Sequence, residues 1–503
     1  MTFKRNRINP ERLKKKFIFS SLFIRNLPVI FLMILLFPLI TTAQEKGEMI
    51  TVVGDSLVGR IVSGETTREV YGNVVLTQGN VVITCNKAIQ YISRNDAELI
   101  GDVIVKQDSM TIMTPRGFYY GDERRAESSS GVRLDDKKVI LTADSGEYFF
   151  NDDKAVFRSR VTLFDTASTL TSEKLTYFKN EDRAIAIGDV KIVQKDNIIN
   201  ADTLEHFRKT RITFATSNVR IKSPGNNVQI FGQHLIDYAQ DFHTIIDRKP
   251  LFLQVDTTRT RLPDSLITEN DSMQIRLDTL IIKSETMQSW RDTINLFEAQ
   301  DSVKIWRGTF ASLNDYSIYM KRKEKIITFR KKESDMKPVL WDEETQLTGD
   351  SIVIFLRDDE IEALQVIKTA FVLSPNEIYK NRFNQISGDT LIMYFEKGDI
   401  SRVEVDGNVY NVYYMYNDEQ KPNGLTQSSA ESAVLSFRKN KVSEVRLYGS
   451  PKSEYYPENM VGGKEQTFAL PRFNIVKNRP EKEDLLKQIK PAGRILSPMD
   501  TLQ

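Results

Sequence analysis

The chain has 503 residues, 40% hydrophobic and 10% aromatic, with 70 Lys+Arg against 68 Asp+Glu. That supplies enough apolar material for a core and for two or more domains, and it excludes a globally disordered chain. The single cysteine, Cys85, excludes an intramolecular disulfide and any Cys-rich zinc site.

Eight basic residues and one acid lie between Met1 and Asn26, followed by the apolar run Leu27 to Ile40 and then Thr41-Thr42-Ala43-Gln44. A basic start, an apolar stretch and small residues three and one before a cut after Ala43 predict a signal peptide over 1–43. As a helix the run would reach roughly 21 Å, short of the ~30 Å hydrocarbon core an anchor must span. No cysteine follows the predicted cut, which argues against a lipoprotein. The remainder carries 62 Lys+Arg and 67 Asp+Glu, a formal charge of −5, so the positive excess belongs to the export signal. This balance offers nucleic acid no basic face.

From residue 72 the chain repeats. Gly72-Asn73-Val74, Gly101-Asp102-Val103, Gly131-Val132, Ser159-Arg160-Val161, Gly188-Asp189-Val190 and Ser217-Asn218-Val219 place valines at a constant step of 29. Two residues beyond each stands another aliphatic: Leu76, Val105, Leu134, Leu163, Ile192 and Ile221. Apolar residues at period 2 in every copy predict one strand face repeated six times. A second column holds Tyr91, Tyr120, Tyr148 and Tyr177, with His206 in the fifth place, behind polar strand starts at Asn86-Lys87-Ala88, Thr142-Ala143-Asp144, Thr171-Ser172-Glu173 and Asn200-Ala201-Asp202. Turn signals such as Gln78-Gly79-Asn80 and Asn151-Asp152-Asp153 separate the columns. The expected fold is all-β, built from antiparallel strand pairs of about 29 residues, with Cys85 a small half-buried core residue.

The first β-domain is expected over 44–240. Residues 241–275, with Pro250, Pro263 and a Thr- and Asp-rich stretch, read as a junction. A more divergent β-domain is expected over 276–455, where polar strand starts recur at Ser284-Glu285, Asn314-Asp315, Gly349-Asp350, Gly388-Asp389 and Ala430-Glu431. Residues 456–503, rich in Pro, Lys and Glu, read as a mobile tail with a short helix over Lys482 to Ile489.

Gly72-Asn73-Val74-Val75-Leu76-Thr77-Gln78-Gly79 and the following Val81 to Ala88 resemble the opening repeat of the LptA/OstA family. Gly188 to Gln194 with Ala201-Asp202-Thr203-Leu204 repeats the match. The resemblance implies a tandem open β-jelly-roll of two antiparallel sheets, stacking end to end. It implies a non-enzymatic periplasmic protein that binds lipopolysaccharide by its acyl chains and carries it toward the outer membrane. The partners implied are other jelly-roll components of the transport machine or further copies of the chain, with an inner-membrane ATPase supplying the push. The chain departs from the family in being far longer than a single bridge subunit, and it lacks the C-terminal strand series of a membrane barrel.

Stacked repeats turn alternating apolar positions into a stripe. The residues expected to line a lipid groove are Val74, Leu76, Val103, Val105, Val132, Leu134, Val161, Leu163, Val190 and Ile192. The expected partner edge is Ile50, Thr51, Val52 and Val53, which carries neither charge nor proline and suits strand addition. No nucleotide-binding signature, G-x-S-x-G elbow or H-E-x-x-H motif occurs. The acids recur at turns and strand starts in copy after copy, and His206, His234 and His243 stand at unlike positions, so no catalytic residue, metal or cofactor is expected. The alternative is a non-catalytic envelope scaffold or surface adhesin of β-repeats.

Overall fold

The computed structural model describes residues 48–489 apart from 63, 167, 195–196, 224, 226, 262–272, 292–294, 332–336, 358–359, 377, 397, 439–440 and 488. The signal peptide expected over 1–43 and the last residues of the expected tail lie outside the described residues.

The Gly/Ser-Xaa-Val motif bends a strand. β1 (Thr51–Val53) and β2 (Ser56–Val62) both pair antiparallel with β3 (Glu65–Gln78), β2 along its first half and β1 along its last. On its other side β3 pairs with β4 (Val81–Tyr91), Tyr71 opposite Lys87 and Val74 opposite Cys85. Gly72 and Asn73 therefore oppose the single residue Asn86, a β-bulge. Both sit at positive φ, 71° and 45°. The same left-handed pair, with the same register shift, recurs at Gly101-Asp102, Ser159-Arg160, Gly188-Asp189, Ser217-Asn218, Asp301-Ser302, Lys368-Thr369 and Gly407-Asn408.

A left-handed backbone costs an L-residue roughly 1–2 kcal/mol, so each bend needs an offset, and the facing strand supplies it. Asn73 donates to Asp55 (2.9 Å), Asn86 to Asp102 (3.0 Å), Arg160 to Asp144 (2.6 Å), Asn218 to Asp202 (2.7 Å) and Asn408 to Asp389 (3.1 Å). Most of these facing residues are the polar strand starts of the sequence. At Gly72 the glycine is also steric, because a Cβ would stand 2.4 Å from Asp55 Oδ2.

Eight consecutive pairs, from β1 with β2 to Lys441–Tyr448 with Lys452–Tyr456, are halves of one bent strand, so the 32 strands among the described residues act as 24. Each bent strand pairs with the one before and the one after it. Among the described residues the result is one antiparallel meander folded along its line of bends into two half-sheets, here called the Leu76 and Val70 half-sheets after residues either side of the first bend. The chain thus adopts the expected all-β architecture of repeated strand pairs.

Two segments differ from their reading. Within the expected junction the meander continues over the described residues: His243–Asp247 and Leu251–Arg261 pair with neighbours on both sides. Arg248 and Lys249 form another left-handed pair (φ 62° and 63°), with Pro250 in the valine's place, which is why the motif is not visible there. The segment after Tyr456 is fastened rather than loose. It holds α1 (Glu458–Val461), a 3-10 turn (Glu465–Phe468) and α2 (Lys482–Leu486), and runs back over the outer face of the Leu76 half-sheet. Arg382, 4% exposed, grips Glu458 (3.0 and 2.6 Å) and Glu465 (3.3 Å). Gln385 accepts from the Leu470 amide, and Gln346 pairs with the backbone of Asn474 and Val476, all at 2.9 Å. Leu485 is buried against Leu251 and Ile281. Apolar residues spaced along a polar segment (Val461, Leu470, Val476, Leu485) fill this outer face.

Candidate functional site

The register lines up one inward residue per bent strand on the Leu76 half-sheet. Val52 stands opposite Leu76, followed by Ile83, Val105, Ile112, Leu134, Leu141, Leu163, Leu170 and Ile192. The row continues through Ile199, Ile221, Ile230, Phe252, Ile282 and Ile305. It passes Ser312 and goes on through Leu340, Leu347, Val372 and Ile386. Ser312 is the one polar interruption in that span.

Facing it, the Val70 half-sheet carries Val70, Leu99, Phe157, Leu175, Leu204 and Leu235, buried among small residues such as Ala88, Ala186 and Ala215. Its next row outward alternates Tyr119, Tyr148, Tyr177 and His206 with Ala126, Ala155 and Ala184. Two of these tyrosines cross the seam: Tyr119 donates to Gln78, and Tyr177 donates to Asp136 at 3.0 Å. Burial pushes the Tyr119 phenol up to about 12 and raises Tyr177 further, so both stay protonated donors at neutral pH.

From His206 to Ser289 the row makes no crossing bond among the described residues. His206 bonds its neighbour Thr213 (2.9 Å), and the row goes on through Asp237, Thr244 and Ser289. Facing them, Ile199, Ile221, Ile230, Phe252, Ile282 and Ile305 are only half-buried. At the far end of this row an open cavity of about 80 Å³ is bordered by Leu280, Ile282, Phe297, Ile305, Tyr319 and Ile326, with Arg307 held by Asp278 (2.7 Å) at its rim. From Ser312 to Ile386 the row is buried again.

The ten predicted lining residues divide in two. Leu76, Val105, Leu134, Leu163 and Ile192 belong to the inward row. Val74, Val103, Val132, Val161 and Val190 stand beside the bends, opposite the small residues Cys85, Thr114, Ala143, Ser172 and Ala201. Nine of the ten are exposed by 8% or less, Leu163 being half-buried. They form the packed floor of the seam, with Val103, Val105 and Val132 bordering a cavity of only about 30 Å³. Of the half-open positions from Ile199 to Ile305 the repeat marks Ile221 and, in Ser302-Val303-Lys304-Ile305, Ile305, whereas Ile230, Phe252 and Ile282 show in the sequence only by alternation.

Of the predicted edge, Thr51–Val53 form β1. Ile50 is core: it is 5% exposed, its amide donates to Asn95 (3.0 Å) and its carbonyl accepts from Gln90 (3.1 Å). The outer side of β1 and β2 has no strand partner among the described residues, and Met49, Val53, Leu57 and Ile61 are exposed there. Cys85 is buried, 5% exposed, which raises its thiol pKa.

The histidines do not converge: His206 meets Thr213, His234 meets Asp247 and His243 meets Gln288. Among the described residues no helix is long and apolar enough to cross a membrane. Among solved structures the chain is similar to LptH of Pseudomonas aeruginosa, the LptA-homologous periplasmic component of the lipopolysaccharide transport device. The two are 18% identical over 28% of this chain and 92% of that one, with a TM-score of 0.21. No curated protein matches. The family model described as OstA-like protein matches residues 50–202, the stretch that holds the bends from Gly72 to Gly188. Over those residues the chain is similar to the OstA-like family.

Proposed function

We propose that the seam between the half-sheets shields the acyl chains of lipopolysaccharide and carries or bridges it across the periplasm toward the outer membrane. The observation that carries this reading is the inward row, apolar at every bent strand from Val52 to Ile386 except Ser312. Each methylene left in water costs roughly 0.8 kcal/mol, so a lipid with several acyl chains needs near-uniform apolar surroundings at every step. A row of aliphatic side chains at strand spacing, about 4.8 Å, offers that, and in the middle of the chain it lies open. The reading needs no catalytic group, and energy for movement comes from elsewhere. The free edge at β1 and β2, with its exposed Val53, Leu57 and Ile61, is where a second jelly-roll, from a transport component or another copy, adds by strand pairing.

The test is photo-crosslinking in cells with a photoreactive residue at Ile282 or Ile305 and at exposed Lys137 as control. Lipopolysaccharide adducts are expected at the two seam positions and not at Lys137. Absence of adducts at all three, with the protein folded and exported, overturns the carrier reading and leaves an envelope scaffold or adhesin.

A further inference from the structure

At the last three bent strands the inward row changes chemistry on one wall only. Beyond Ile386 it continues as Asn411, Ser428 and Ser453. The next row outward on the same wall reads Tyr413, Thr426 and Tyr455. On the facing Val70 half-sheet the same strands keep Val405, Ala433 and Leu447, with Leu435 and Val445 in the row beyond. Solvent exposure does not account for the switch, because Val445 is 44% exposed and apolar while Tyr413 is 40% exposed and Tyr455 52%.

We propose that this end of the seam is a subsite for the neutral saccharide portion of a glycolipid, whose acyl chains rest on the Val405–Leu435 wall. The assignment rests on the lipid-carrying reading and adds the part of the ligand that the polar wall takes. Amide and hydroxyl groups both donate and accept, as sugar hydroxyls do. Ser428 and Ser453 bond each other (2.9 Å) and Tyr455 donates to the Asn423 carbonyl (2.9 Å). The side chains of Asn411, Tyr413 and Thr426 have no hydrogen-bond partner among the described residues. Tyr413 and Tyr455 flank Thr426 two strands apart, roughly 10 Å, and an aromatic ring is apolar enough to pack on the C–H face of a sugar. None of the six residues is charged, which favours neutral sugars over phosphate, whose binding calls for cations.

The experiment compares retention by the purified full chain of lipopolysaccharide bearing its core oligosaccharide with retention of lipid A alone. It also follows the tyrosine resonances as free core oligosaccharide is added. The native chain is expected to prefer the sugar-bearing lipid by about tenfold. Asn411→Leu, and the milder Ser428→Val, are expected to abolish the preference while lipid A is still held, and oligosaccharide is expected to shift Tyr413 and Tyr455 in the native chain only. A preference that survives both substitutions, or no preference in the native chain, overturns the subsite. Retention of neither lipid overturns the carrier reading instead; the subsite then stands if free oligosaccharide shifts the two tyrosines and falls if it does not.

Discussion

The stretch ending at Tyr177 and the stretch from Ile199 to Ile305 are built on the same bend, yet one is shut and the other half open. Both carry left-handed pairs, Gly101-Asp102 in the first and Ser217-Asn218 in the second, and both put an aliphatic residue two places beyond the valine. They differ one row further out. Tyr119 and Tyr177 reach across to Gln78 and Asp136, whereas His206, Asp237 and Ser289 occupy the same row and bond to neighbours on their own side or not at all across the seam. The bend therefore sets the architecture, and the outer row decides whether the half-sheets touch. One repeat yields a packed or a half-open seam, and the crossing bonds of Tyr119 and Tyr177 are where the two stretches differ.

The sharpest way to break this comparison is to truncate the same row in both stretches. Leu134 is fully buried, so Leu134→Ala is expected to cost about 2–5 kcal/mol. Ile282 borders an open cavity, so Ile282→Ala leaves less new void and is expected to cost about 1 kcal/mol. Denaturant midpoints for the two variants, with hydrogen exchange of the flanking strands, measure the difference. Equal losses would mean that the middle stretch is as tightly packed as the first, and the distinction would fall.

Next come the crossing tyrosines. Tyr177→Phe keeps the ring and removes a bond to a carboxylate, for an expected loss of about 1.5–3 kcal/mol; Tyr119→Phe removes a bond to an amide, for about 1 kcal/mol. Faster hydrogen exchange is expected around Leu134 and Leu76 respectively, as the mouth of the seam loosens. Unchanged exchange in both would show that burial of the rings, not their hydroxyls, holds the stretch shut.

Much of the fold was legible because strand periodicity is local. The step of 29 marks the bends, and the polar strand starts such as Asp144 and Asp389 are the groups that hold them. What stayed hidden depends on partners distant in sequence. Arg248-Lys249 and Lys368-Thr369 bend the chain without the glycine or the valine that made other copies visible. The polar segment after Tyr456 reads as loose because its anchors, Arg382, Gln385 and Gln346, lie 76 to 130 residues away. Alternation picks out Leu76, Val105, Leu134, Leu163 and Ile192, which stand in the inward row, but it cannot tell floor from mouth. That depends on how far apart the half-sheets stand, and hence on Tyr119 and Tyr177.

His206 gives the finest test, because it stands where the first stretch has a tyrosine. Burial, aided by Arg208, holds its ring below the ordinary histidine pKa of 6.5, against the opposing pull of Asp165 and Asp237. The folded protein therefore keeps this ring neutral at a pH where the unfolded chain would take up a proton. Its contribution is complete above pH 6.5 and is lost as the pH falls from there through the folded pKa. The native chain is expected to lose stability between pH 7.5 and 5.5 by more than His206→Gln does, measured as the change in urea midpoint of each. An equal drop in both would place His206 in contact with water in the folded state, and the open stretch would then extend to the Val70 wall as well.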